Sequence, residues 1–142
     1  MPLITEDVAG QLKQEFARLK NPVRLAVFSQ ALVDPDSEQV KRLVEELAAV
    51  DGRITVESYN FVLDKEKVEA LHIQRTPAIA IMGAEKDYGI RMYGLPSGYE
   101  FGSLVDAIID VSGGESGLGE DTKKALAEVT KLVHVQVFST PT

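Results

Sequence analysis

The sequence predicts a three-layer α/β domain with a mixed central sheet, followed by a helix-strand extension. Three observations carry that expectation. Apolar residues recur at helical spacing in several separate segments, short β-branched runs alternate with them, and proline or glycine marks most of the joints. A chain of 142 residues that is 44% hydrophobic has the material for one real core.

The elements follow in order. From Thr5 to Lys20, Val8, Leu12, Phe16 and Leu19 lie on one helical face, and Thr5 ahead of Glu6 and Asp7 reads as an N-cap. Asn21-Pro22 breaks that helix, and Val23 to Ser29 reads as a buried strand. Asp34 is the expected cap of the next helix, with Pro35 in its first position and Val40, Leu43, Val44 and Leu47 as its buried stripe. Asp51-Gly52 ends it, Arg53 to Phe61 forms a second strand, and Asp64 to His72 a short helix with Val68 and Leu71 inward. Ala78 to Met82 is an apolar strand, and after a turn Gly89 to Tyr93 returns antiparallel to it. Leu95-Pro96-Ser97-Gly98 opens a last core helix that turns Phe101, Leu104, Val105, Ile108 and Ile109 inward.

Beyond this lies a change of character. Residues 1–112 are predicted as the domain, 113–119 as a glycine-rich linker, and 120–142 as a helix-strand extension. In the extension, Glu120 to Thr130 is helical and Leu132 to Ser139 alternates as a strand. Its strand Lys131-Leu132-Val133-His134-Val135-Gln136-Val137-Phe138-Ser139 echoes Asn21-Pro22-Val23-Arg24-Leu25-Ala26-Val27-Phe28-Ser29, as if a second, similar unit began here.

Several function classes are disfavoured. A net charge of −7 without a basic tract argues against nucleic acid. No stretch approaches the roughly 20 apolar residues that span a bilayer. Met1 to Glu6 lacks the form of a signal peptide, so a cytoplasmic location is expected. The pattern Gly114-x-x-Gly117-x-Gly119 follows no strand and reads as linker rather than a dinucleotide fingerprint. His72 and His134 lie apart without spaced acidic partners, so no metal site and no cofactor is expected. Asp106 and Asp110 are expected to face water. Tyr88, Tyr93 and Tyr99 are expected to pack around the hairpin. Cysteine is absent, which excludes disulfides, thiolate ligands and a thiol nucleophile.

The order β-α-β, then Thr76-Pro77, then a hairpin and closing helix is that of the thioredoxin fold. Arg75-Thr76-Pro77 before a strand, Tyr93-Gly94-Leu95-Pro96-Ser97-Gly98-Tyr99-Glu100-Phe101 beyond it, and the terminal Phe138-Ser139-Thr140-Pro141-Thr142 carry a closer likeness. The chain resembles the N-terminal half of the two-domain, glutaredoxin-like protein disulfide oxidoreductases. In that family a Cys-x-x-Cys pair commonly opens the helix after the first strand; the matching positions are Asp34 and Ser37. The family's second Cys-x-x-Cys follows a strand ending like Ser139 to Thr142, which leads us to expect a truncation just before it.

Thiol exchange needs an attacking thiolate and a resolving thiol. Asp34 forms no mixed disulfide, and Ser37 has no histidine near it in sequence to act as base. Capping the helix, worth about 1 kcal/mol, is the expected role of Asp34-Pro35-Asp36-Ser37, and no catalytic residue is assigned. The resemblance implies a cis Thr76–Pro77 bond and a Thr76 backbone offered to an extended peptide. The expected peptide-binding residues are therefore Arg75, Thr76, Pro77 and Gly94, with Asp34 to Ser37 on the facing side. The resulting expectation is a redox-silent domain of a disulfide oxidoreductase that supports substrate binding or dimerisation. The alternative is a standalone peptide-binding or dimerisation module, self-associating through its C-terminal segment.

Overall fold

Val23 to Phe28 is the apolar run that the structure puts at the centre of the sheet. Strand β1 (Val23–Ser29) pairs in parallel with β2 (Ile54–Asn60) on one edge and antiparallel with β3 (Ala78–Gly83) on the other; β4 (Ile90–Tyr93) then pairs antiparallel with β3. The order is β2-β1-β3-β4, a mixed sheet as predicted. The computed structural model describes residues 1–30 and 32–140. The predicted motif positions Pro141 and Thr142 lie outside the described residues.

Alternation along β1 divides the core. Val23, Leu25 and Val27 face a large cluster with Ile79 and Ile81 of β3, roofed by α1 (Glu6–Phe16), α2 (Asp36–Val50) and α4 (Tyr99–Gly113). Ala26 and Phe28 face the other way, onto Ala78, Ala80 and Met82, beneath the short α3 (Lys65–Ala70). Period-two alternation and helix-period stripes thus meet across both faces of one sheet, which makes three layers. The predicted stripe of α2 is buried in full, and so are Leu104, Val105, Ile108 and Ile109 of α4. No described helix is long and apolar enough to cross a membrane.

Two polar clamps close the joints. Arg53, at the head of β2, donates to the carbonyls of Phe16 and Leu19 at 2.8 and 2.5 Å, taking up acceptors left over at the end of α1. Asp51 holds the same guanidinium at 2.7 Å. The buried Ser112 hydroxyl, near the end of α4, accepts from the N–H groups of Lys20 and Asn21 and donates to the Asn21 carbonyl. Thr5 caps α1 as expected, accepting from the Val8 N–H, and α4 ends on Gly114 in the left-handed region at φ 69°.

The extension departs from the sequence reading. Helix α5 (Glu120–Ala127) forms, three residues shorter than predicted at its end, and none of its residues is buried. The run predicted as a strand, Leu132 to Ser139, joins no ladder among the described residues and is exposed throughout. Alternation makes a segment competent to pair, but a strand exists only when another backbone edge accepts its N–H and C=O groups. Neither open edge of the sheet, β2 or β4, takes it. Its one described side-chain tie runs from the Ser139 hydroxyl to the Glu100 carboxylate, 2.7 Å.

The Arg53 hydrogen bonds hold the Asp51 carboxyl down to about 2, below the free value near 3.9. A depressed carboxylate pKa stabilises the fold above the free value, and that contribution is lost as pH falls towards the folded one. Denaturation midpoints of wild type and Asp51→Asn, measured from about pH 6 downwards, are expected to differ most at the upper end and to converge near pH 2. A constant difference across the range would refute the linkage.

Candidate functional site

The ladder fixes where the predicted residues meet. Phe28 lies opposite Ala78, so the carboxyl end of β1 and the amino end of β3 sit side by side. The loop from β1 to α2 and the turn at Thr76-Pro77 therefore occupy one end of the sheet. Opposite Ala78 on its other edge is Tyr93, which brings Gly94 to the same place.

On the first side of this end, α2 begins at Asp36 with Pro35 in the cap position, rather than capped by Asp34 with Pro35 as its first residue. Asp34 nevertheless does the capping work from one residue further out. One carboxylate oxygen accepts the Asp36 N–H at 3.0 Å and the other accepts the Ser37 hydroxyl at 2.9 Å. A short acidic side chain folds back on the backbone two residues on, as in an Asx turn, and so moves the helix start. The Ser37 hydroxyl is fully buried and accepts the Gln30 N–H at 3.1 Å. It thus joins the end of β1 to the start of α2, a role that sequence reasoning missed because burial of a serine leaves no periodic trace.

On the second side, the Thr76–Pro77 bond is cis. Pro77 is buried, and its carbonyl accepts the Gly94 N–H at 3.0 Å. Gly94 sits at φ 86°, a conformation that a Cβ would oppose, and this turns the chain away from β4 at that contact. Thr76 is half-buried, and neither its N–H nor its carbonyl makes a hydrogen bond among the described residues. Arg75 lies over the Tyr93 ring at 4.5 Å, and the Tyr93 hydroxyl accepts the Gln74 N–H at 3.3 Å. Arg75, Thr76, Pro77 and Gly94 are thus brought together.

The remaining candidates scatter. His72 follows α3 at φ 54°, exposed, and His134 lies in the exposed tail. Asp106 and Asp110 face water. Of the tyrosines expected to pack, Tyr93 does so, whereas Tyr99 is 83% exposed, because it opens α4 on the face away from the core. Chemically, the site offers backbone pairing groups, one guanidinium and a pair of hydrogen-bonded oxygen groups, of which the Ser37 hydroxyl is fully buried.

Removing the Ser37 oxygen strands the Gln30 N–H at the root of the loop. Ser37→Ala is expected to lower unfolding stability by about 1–3 kcal/mol in urea titrations followed by circular dichroism. An unchanged midpoint would mean that the hydroxyl bridge is not holding the loop.

No family model matches the chain. An NADH dehydrogenase of Ferdinandcohnia aciditolerans is 35% identical over 111 residues, which are 78% of this chain and 19% of that protein. A protein disulfide oxidoreductase of Aeropyrum pernix superposes with a TM-score of 0.79 at 28% identity, over 90% of this chain and 56% of that one. The NTD_N/C domain of the alkylhydroperoxide reductase AhpF of Enterococcus faecalis gives 0.76 at 30% identity, over 84% and 58%. The chain therefore spans about a fifth of the curated relative's length (19%) and little more than half of either solved chain. The likeness to disulfide oxidoreductases was visible in the motifs, and the likeness to AhpF was not. The chain is a thioredoxin-fold domain without cysteine, similar to the disulfide oxidoreductase of Aeropyrum pernix and to the NTD_N/C domain of the AhpF of Enterococcus faecalis.

Proposed function

We propose that this chain is the redox-silent thioredoxin-fold part of an oxidoreductase of the disulfide-reducing type, and that it serves by holding substrate or partner rather than by exchanging electrons. The carrying observation is the bond between Asp34 and Ser37, the positions that match the family's Cys-x-x-Cys. Two oxygen groups there cap a helix and close a loop. Neither forms a mixed disulfide, so the exchange step has no nucleophile in this chain.

What the fold retains is the facing half of the site. The unfilled N–H and carbonyl of Thr76, at the end of a fully buried strand, suit an extended segment that pairs by backbone hydrogen bonds. The proposed partner is accordingly a protein or peptide, with Arg75, Thr76, Pro77 and Gly94 as the contact residues. We place this role in the cytoplasm, where a chain without cysteine depends on no disulfide. In an insulin-reduction assay driven by dithiothreitol, the purified chain is expected to leave the rate at that of buffer. Acceleration above buffer would overturn the silent assignment.

A second reading, self-association through the tail, is favoured by one observation. Leu132, Val133, Val135, Val137 and Phe138 are each between 63% and 101% exposed, an apolar row that no described element covers. Sedimentation velocity over a hundredfold concentration range is expected to show dimer, and Val135→Asp to shift it to monomer. A monomer at every concentration would remove this reading while leaving the peptide site untouched.

A further inference from the structure

The peptide site carries a chemical preference of its own, and this inference rests on the peptide-binding reading above. The chain has 22 acidic side chains against 15 lysines and arginines, so a guanidinium on its surface has carboxylates to choose from. Arg18 pairs with Glu15, Arg24 with Glu57, Arg42 with Glu46, Arg53 with Asp51 and Arg91 with Asp87. Among the described residues, Arg75 is the one arginine without a carboxylate, and it stands next to Thr76.

Arg75 is exposed but held. Its guanidinium lies 4.5 Å from the centre of the Tyr93 ring, and Tyr93 is itself tied by its hydroxyl to the Gln74 backbone. Stacking on an aromatic face fixes the plane of a guanidinium and leaves its N–H edge outward, poised for a planar anion. A segment paired with the Thr76 backbone brings its own side chains within about 5–8 Å of neighbouring positions, directly opposite or one step diagonal. That is within the reach of an arginine.

We propose that the bound segment is an extended peptide carrying an aspartate or glutamate, whose carboxylate meets Arg75 while its backbone pairs with Thr76. A single acidic residue among neutral ones fits better than an acidic tract, because the chain's charge of −7 repels the latter.

The test is selection of a display library of random linear peptides on the immobilised chain, repeated with Arg75→Gln. Enrichment of peptides with an acid at one fixed position on wild type, and loss of that bias on Arg75→Gln, is the expected result. Changing that acid to its amide in an enriched, dye-labelled peptide is expected to weaken binding by about fivefold in fluorescence anisotropy. On Arg75→Gln the two peptides should bind alike, and Arg75→Lys should restore part of the difference. Enriched peptides without a positional acid would overturn the acidic preference while leaving the peptide-binding reading intact. No enrichment of any peptide would overturn both. Circular dichroism and thermal melts of the variants establish that this exposed substitution leaves the fold in place.

Discussion

A strand with a neighbour on each edge and side chains buried on each face has no freedom left, and β1 is such a strand. Its backbone groups are shared between β2 and β3, Leu25 and Val27 are locked into the larger core, and Ala26 and Phe28 into the smaller. A one-residue slip would exchange the two sets and put Phe28 against the helices that receive Val27. Register in β1 therefore governs register in β3, β3 governs β4, and the meeting of the Ser29 end with Pro77 and Gly94 follows from it. The site owes its geometry to packing some distance away from it.

That separation between scaffold and chemistry is plain at the helix start. A thiol at the head of a helix gains reactivity from the N–H groups that point at it. Here the same N–H groups are met by a carboxylate, and the buried oxygen of Ser37 completes the arrangement. The electrostatic preference of a helix N-terminus for negative charge is satisfied by Asp34.

Much of this was legible in the residues, for identifiable reasons. Buried faces leave traces, so the helical stripes of α2 and α4 and the apolar runs of β1 and β3 could be read directly. Gly94 and Pro77, which only certain backbones accept, marked their turn. Interactions that depend on distant partners left no such trace. Nothing local to Arg53 announces that it closes the end of α1, and nothing local to Ser112 announces its contact with Lys20 and Asn21. The tail shows the converse limit. Val133, Val135 and Val137 alternate with polar residues, yet alternation records only a capacity, and neither edge strand, β2 or β4, pairs with this run.

The Ser112 hydroxyl has a mechanical meaning. It sits at the end of α4 and is bonded to the backbone that enters β1, some 91 or 92 residues earlier in the sequence. Tension applied to the segment after Gly114 reaches the domain at this knot. From there it passes to the root of the central strand, the part of the sheet with the most hydrogen bonds to break in shear. The exposed extension is thus tied to the root of the central strand rather than to an edge of the sheet.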